Sequence, residues 1–426
     1  MAQDKTIKIR QADSPVTARV KVPGSKSITQ RALITAALAD GVSTLKDPLE
    51  SEDTELLRNA LSAVGVKINE DGEAWVVTGT GGRINPADDV LYLGNNGTGM
   101  RFVASVVALG NGLYRLSGAN RMRQRPIEPL LKALNAWGAE TKSIEGTGCP
   151  PIEVRANRLQ GGAAVLSAGQ SSQFLSSLLL VGPYTKKEAR INLEGPLVSR
   201  PYVDITLSVM ESFGIKVMED ESGFSIPKGV YRPCEYQVEG DASSASYFWA
   251  AAAVTGGRIL VENVPESPLQ GDAAFADILG EMGCRVEKEP HGIAVEGPKD
   301  GRLSPAEIDM KKWPDVVPTL AVVAAFARGT TRIKNIAHLR IKETDRIKAT
   351  ATELVRLGAE VEELPDGLVI HGGRQLHGAG IETYDDHRMA MAFAVAGLKV
   401  PGVLIKDPDC VRKSFPSFWE LWARLA

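Results

Sequence analysis

Apolar residues along this chain follow a helical rhythm in one stretch and a strand-like one in the next. Helical spacing runs through Ile28-Thr29-Gln30-Arg31-Ala32-Leu33, Met100-Arg101-Phe102-Val103, Phe174-Leu175 and Met389-Ala390-Met391-Ala392. Between such stretches lie short runs rich in Val and Ile, at 17–22, 112–117, 190–193, 257–261 and 331–336. Strands that alternate with helices predict the α/β class.

Five times the helical rhythm stops at a glycine and a β-like run follows, at Gly65, Gly138, Gly214, Gly283 and Gly358. Glycine there suits the left-handed position that ends a helix. The successive spacings are 73, 76, 69 and 75 residues, and the chain has 426. That period exceeds the roughly 20–50 residues of solenoids and propellers, fits six units into the chain, and leaves room in each for two helices and several strands. The weakest seam lies at 236–241, after three repeats, and Pro23-Gly24 is a second candidate break. Breaks at both places put the first strand into the C-terminal half.

Composition narrows the class. Hydrophobic residues make up 43% and charged residues 24%, ordinary values for a globular protein. A net charge of −3 gives no global field for nucleic acid, so cations must act locally. Cys149, Cys234, Cys284 and Cys410 form no CxxC pair, which argues against a zinc site or a disulfide framework. No apolar run approaches the ~18 residues of a membrane span. Met1-Ala2-Gln3-Asp4-Lys5 lacks an apolar signal region, so a cytoplasmic protein is expected.

Polar clusters sit at the mouths of the apolar helices and carry more basic charge than caps require. They are Gly24-Ser25-Lys26-Ser27, Asn95-Asn96-Gly97-Thr98, Gln170-Ser171-Ser172-Gln173, Lys342-Glu343-Thr344-Asp345-Arg346 and Asp385-Asp386-His387-Arg388. A helix start has free N–H groups and partial positive charge, so it receives anions. Several such ends predict a shared pocket for a ligand rich in phosphate and carboxylate. Lys26 does not lie in a Walker A loop, and Arg31 follows one turn after Ser27. Arg101 opposes the macrodipole of its own helix start. Arg121, Arg123 and Arg125 crowd into five residues. Lys342 and Arg346, at i and i+4, are expected on one helical face with Glu343 beside them. Asp315 is fixed between Pro314 and Pro318, and His387 lies between an acid and a base. Taken singly, each has an ordinary explanation: a solvated loop, an ion-pair face, a cap, or a structural histidine.

Together these motifs resemble the 3-phosphoshikimate 1-carboxyvinyltransferase (EPSP synthase) family over almost the whole chain and in order. The matching segments are Pro23-Gly24-Ser25-Lys26-Ser27, Leu93-Gly94-Asn95, Gly97-Thr98, Met100-Arg101, Arg125-Pro126-Ile127 and Ser171-Ser172-Gln173-Phe174-Leu175. Ser199-Arg200-Pro201-Tyr202, Pro314-Asp315, 342–346, 386–390 and Lys413-Ser414-Phe415-Pro416 complete the series. The resemblance implies the enolpyruvyl transferase fold, a two-lobed inside-out α/β barrel of six βαβαββ repeats, three per lobe. One lobe would be 23–240 and the other 1–22 plus 241–426, with the active site in the cleft between them. It implies transfer of the enolpyruvyl group of phosphoenolpyruvate to the 5-hydroxyl of shikimate 3-phosphate, through a tetrahedral ketal and with release of phosphate.

By position, shikimate 3-phosphate would be held by Lys26, Ser27, Arg31, Ser171, Ser172, Gln173, Ser199, Tyr202, Asp315, His338 and Lys342. Phosphoenolpyruvate would be held by Lys26, Asn95, Gly97, Arg125, Gln173, Arg346, Arg388 and Lys413. The catalytic candidates are Asp315 as base, Glu343 as acid, Lys26 as a competing proton carrier, and His387. The resemblance implies no cofactor or metal, no nucleic-acid or membrane partner, a monomer, and glyphosate as an inhibitor. His338 stands where many members have Asn. Asn96 and Gly99 replace common alanines, and Phe102 replaces a common proline, so altered glyphosate sensitivity is expected. Rival readings are UDP-N-acetylglucosamine enolpyruvyltransferase, against which Lys26-Ser27 and the cysteine-free loop 121–126 argue, and a non-catalytic anion-binding protein of the same fold.

Overall fold

The computed structural model describes residues 5–167 and 169–425, so Met1–Asp4, used above in reading the N-terminus, lie outside it. The chain forms two compact units, Gly24–Val238 and Met1–Pro23 with Glu239–Ala426.

The Gly24–Val238 unit contains three four-stranded sheets of one design. In the second, the strands run Leu91–Tyr92, Asn111–Ser117, Ile152–Asn157 and Glu140–Ser143, with the first pair parallel and the others antiparallel. Gly162–Ser167, Ala189–Glu194, Gly223–Ile226 and Met218–Asp220 repeat that order. In the first sheet the leading strand is Glu235–Gln237, from the far end of the unit, parallel to Val42–Lys46. The helices are α1 (Lys26–Leu38), α2 (Glu52–Ala63), α3 (Gly97–Ala108), α4 (Glu128–Ala136), α5 (Ser172–Val181) and α6 (Arg200–Ser212).

The other unit repeats the pattern. Thr17–Val20 leads one sheet, in parallel register with Arg258–Val261, so that Val20 faces Val261. Glu307–Asp309, Thr330–Lys334, Gly367–His371 and Glu360–Leu364 form another. The sixth sheet is shortened to Gly380–Ile381, Leu404–Lys406 and the N-terminal Thr6–Lys8. Its helices are α7 (Ala242–Thr255), α8 (Ala274–Glu281), α9 (Val317–Phe326), α10 (Arg346–Arg356), α11 (His387–Gly397) and the short α12 (Phe418–Trp422).

The first helix of each repeat is buried on nearly every side: α1, α3 and α5 in one unit, α7, α9 and α11 in the other. Their sequences explain this. Ala-Ser-Ser-Ala-Ser-Tyr-Phe-Trp-Ala-Ala-Ala-Ala-Val in α7 is apolar or small all round, as a fully enclosed helix must be. The second helices bury one face. Five of them end at the glycines read from the sequence, at φ of +101°, +95°, +86°, +103° and +90° for Gly65, Gly138, Gly214, Gly283 and Gly358. Each time the next residue donates back to the last helical turn: Val66 to Leu61, Ala139 to Leu134, Ile215 to Met210, Cys284 to Leu279 and Ala359 to Leu354, at 2.9–3.1 Å.

This repetition puts polar chemistry in equivalent places. The buried helices start at Lys26, Gly97, Ser172, Ala242, Val317 and His387, at spacings of 71, 75, 70, 75 and 70 residues. The polar clusters at 24–27, 95–98, 170–173 and 385–388 therefore sit where an apolar helix emerges from its core, whereas 342–346 opens the one-faced α10.

Candidate active site

In the Gly24–Val238 unit, a chain of hydrogen bonds links the starts of α1, α3 and α5. Ser25 caps α1, and Lys26 Nζ lies 3.1 Å from Asp53 Oδ2 in the first turn of α2. Arg31 is 1% exposed. It donates to the Ser27 carbonyl at 2.8 Å, to Thr206 Oγ1 at 2.7 Å and to Ser176 Oγ at 3.2 Å, with its guanidinium over the Phe102 ring at 5.3 Å. Burial pushes Arg31 down to about 10, against an opposing effect of Tyr202. A buried cation held by neutral groups is costly until an anion arrives.

The α3 start is fixed by two arginines. Arg101 donates to the carbonyls of Gly97 at 2.7 Å and Pro126 at 2.8 Å, and packs on Phe174. Its apparent conflict with the macrodipole resolves into a clamp on the loop. Arg125 donates to the carbonyl and side-chain oxygen of Asn95, at 2.8 and 3.1 Å. A Cβ on Gly97 would lie 2.6 Å from Arg101 Nη1 and closer still to Arg125, so a larger residue would displace one or both guanidinium groups. Gln173 Nε2 donates to Thr98 Oγ1 at 3.0 Å, joining α5 to α3. Ser171 caps α5, and Ser172 is buried. Ser199 sits at the start of α6 with φ of +54°, and its buried Oγ has no hydrogen-bond partner among the described residues. Tyr202, one turn on, is half-buried.

The other unit builds a cage of two arginines and three carboxylates. Arg346 is 1% exposed at its side chain. It donates to Asp386 at 2.7 and 3.2 Å, to Glu343 at 2.8 Å and to Asp315 Oδ1 at 3.0 Å. Arg388 Nη2 donates to Asp315 Oδ2 at 2.6 Å, and its Nη1 lies 3.3 Å from the Tyr247 hydroxyl. Burial alone would raise the Asp315 carboxyl. The charges of Arg388, Arg346 and Lys342 outweigh it and hold Asp315 well below the usual carboxylate range. Arg346 shows the converse: burial lowers it, and the acids more than compensate. His338 is 7% exposed, and burial together with Lys342 pushes it down to about 3, so it is neutral at physiological pH. Lys413 is buried at the end of its own 3-10 turn. His387 is fully buried in the first turn of α11, its Nδ1 3.5 Å from Asp386 Oδ1.

The structure corrects one expectation. Lys342 and Arg346 do not share a helical face, because α10 begins only at Arg346, with Asp345 as its cap, and Lys342 is extended. The three crowded arginines also divide. Arg123 pairs with Glu145 at 2.9 Å and Arg121 with Gln124 at 3.0 Å, whereas Arg125 is buried and bonded to Asn95. The sequence reading missed Asp53, Ser176, Thr206 and Tyr247, whose places are set by tertiary packing. It also missed the polar start of α7, where Asp241 accepts from the Ser244 N–H at 2.6 Å and Ser243 donates to Asp272. The repeat period would have found that cluster. No group of three or more His, Cys, Asp or Glu side chains among the described residues could hold a metal ion.

The chain is similar to solved structures over 99% of its length. They include an EPSP synthase from Acinetobacter baumannii, at TM-score 0.82, 28% identity and 98% coverage of that chain. The enolpyruvyl transferase NikO from Streptomyces tendae matches at TM-score 0.79, 20% identity and 98% coverage of that chain. Six repeated α/β sheets, with polar clusters at the starts of enclosed helices, give the enolpyruvyl transferase fold of these structures. The sequence carries the assignment further. The EPSP synthase (3-phosphoshikimate 1-carboxyvinyltransferase) family model matches residues 10–422. A 3-phosphoshikimate 1-carboxyvinyltransferase of Nostoc punctiforme is 46% identical over 97% of both chains, and one of Methanothermobacter thermautotrophicus is 44% identical over 94% of both. The chain belongs to the EPSP synthase family, a family of transferases.

Proposed function

We propose that this enzyme transfers the enolpyruvyl group of phosphoenolpyruvate to the 5-hydroxyl of shikimate 3-phosphate, releasing phosphate, as a step towards chorismate and the aromatic amino acids. The observation that supports it most is the pair of carboxylates, Asp315 and Glu343, both hydrogen-bonded to Arg346. Addition needs a base for the 5-hydroxyl and an acid for the methylene carbon of phosphoenolpyruvate. Asp315 takes the hydroxyl proton as oxygen attacks C2, and Glu343 protonates C3, giving the ketal. In elimination Glu343 takes a proton back from C3 as the C–O bond to phosphate breaks, and the proton held by Asp315 passes to the departing phosphate. Lys26 is the rival proton carrier.

Asp315 at rest is too strongly stabilised to be a good base. Substrate anions that draw hydrogen bonds from Arg346 and Arg388 relieve that stabilisation and raise its basicity. His387, whose Nδ1 lies 3.5 Å from the Asp386 carboxylate that binds Arg346, is the remaining catalytic candidate.

In this reading Ser27, Arg31, Ser171, Ser172, Gln173, Ser199, Tyr202, neutral His338 and Lys342 hold shikimate 3-phosphate. Lys26, Asn95, Gly97, Arg125, Gln173, Arg346, Arg388 and Lys413 hold phosphoenolpyruvate. Cations around the departing phosphate stabilise its charge. Glyphosate would compete for the same cations, with its affinity altered by Phe102, whose ring lies against Arg31. Unchanged inhibition of F102P would count against that. No helix among the described residues is long and apolar enough to cross a membrane; the proposal of a cytoplasmic monomer rests on the family resemblance.

The test is phosphate release from phosphoenolpyruvate, with shikimate 3-phosphate and with UDP-N-acetylglucosamine in parallel. Release with the shikimate alone supports the reading. Release with the sugar nucleotide alone assigns the other enolpyruvyl transfer, and silence with both leaves a non-catalytic anion-binding protein of this fold.

A further inference from the structure

The loop that opens α3 contains a side chain whose role is neither to touch substrate nor simply to fill the core. Asn96 is 0% exposed and uses its amide in three directions. Its Oδ1 accepts from the Gly99 N–H at 2.8 Å, capping α3. Its Nδ2 donates to Gln30 Oε1 in α1 at 3.0 Å and to the Asp53 carbonyl in α2 at 2.6 Å. One amide thus ties together three helix starts, and those starts carry Lys26, Asp53 and Gly97. Gln30 is equally buried, and its own Nε2 has no partner among the described residues, so it has no second anchor to substitute for Asn96.

Gly99 completes the arrangement. Its φ is not in the left-handed region, and it lies inside the helix, where glycine is a poor choice on backbone grounds. The reason for it is steric. A Cβ there would lie 2.6 Å from Asn96 Nδ2 and 2.9 Å from its Cγ. The amide cannot step aside without losing the cap and both donated bonds.

We propose that Asn96 is a positioning residue that sets the anion-receiving start of α3 against Lys26, and that Gly99 is glycine because the Asn96 amide occupies the space a side chain would need. This rests on the reading above, in which Gly97 and Lys26 hold phosphoenolpyruvate. It predicts a specific interdependence: alanine at 99 is harmful while Asn96 is present and tolerated once it is gone.

The test is the cycle N96A, G99A and N96A/G99A, with N96D as a variant that keeps the capping oxygen and loses the donors. Four quantities are measured: KM for each substrate, kcat, and the dissociation constant of phosphoenolpyruvate by calorimetry. G99A alone should raise the phosphoenolpyruvate KM and dissociation constant about tenfold or more, with shikimate 3-phosphate much less affected. N96D should raise them about fivefold. In the N96A background, adding G99A should cost no further affinity. Equal effects of G99A in both backgrounds would overturn the coupling. Loss of thermal stability with both KM values unchanged would overturn the positioning role. Calorimetry reads binding without turnover, so failure of the proposed reaction in the unmodified enzyme is distinguishable from failure of this proposal.

Discussion

The two units hold their buried arginines in opposite ways, although Lys26 in the first unit pairs with Asp53 at 3.1 Å. In Gly24–Val238, Arg31 is held by hydroxyls and a carbonyl, and Arg101 and Arg125 donate to backbone carbonyls and Asn95. In the other unit, Arg346 and Arg388 donate to Asp315, Glu343 and Asp386. Neutral partners orient a cation without cancelling its charge, so the first arrangement retains its attraction for phosphate and carboxylate. Carboxylate partners cancel charge and supply groups that can gain and lose protons. In the proposed reading, the first unit supplies arginines with neutral partners, and the other supplies the carboxylates for proton transfer together with Arg346, Arg388 and Lys413 for phosphoenolpyruvate.

The largest effect expected from breaking this contrast is at Asp315. D315N should lower the rate of phosphate release about 10³-fold. Its affinity for shikimate 3-phosphate should change only a few-fold, as read by calorimetry. In the first unit, R31M should do the reverse, raising the KM for shikimate 3-phosphate about 30-fold through loss of charge-assisted bonds, with a smaller change in kcat. G97A, whose Cβ would collide with Arg101 and Arg125, should raise the phosphoenolpyruvate KM about tenfold and leave the other KM nearly unchanged.

The smallest effect sharpens the comparison through pH. His338 titrates near 3 in the folded chain, below its ordinary value of about 6.5. The unfolded chain therefore binds a proton that the folded chain refuses. This contribution to stability is complete above about pH 6.5 and is lost as pH falls towards 3, amounting to about 2 kcal/mol by pH 5. H338N should flatten that part of the stability curve, as read by denaturant titration at several pH values. Asp315, held low by its arginines, adds an acid-side loss only below the ordinary carboxylate range.

What was legible in the sequence was what a local backbone requirement imposes. A helix that ends in the left-handed region requires glycine whatever surrounds it, so Gly65, Gly138, Gly214, Gly283 and Gly358 displayed the repeat. A helix start exposes its own N–H groups, so capping polar residues next to apolar runs marked the clusters. Asp53, Thr206 and Tyr247 carry no such mark. Each comes from a different element and meets its partner only through packing: Thr206 is 175 residues from Arg31 and Tyr247 is 141 from Arg388. The misplacement of Lys342 has a similar origin. An i, i+4 spacing was carried across Asp345, where the backbone had not yet turned helical.

The proton that reaches the methylene carbon of phosphoenolpyruvate tests the contrast most directly, because its two candidate carriers, Glu343 and Lys26, lie in different units. Exchange of that carbon's hydrogens with deuterated solvent, in the presence of shikimate 3-phosphate, should be followed in E343Q and K26M at saturating substrate. The expected result is exchange about 10²-fold slower in E343Q and largely retained in K26M. Exchange lost in K26M and retained in E343Q would put the proton chemistry in the Gly24–Val238 unit and contradict the account.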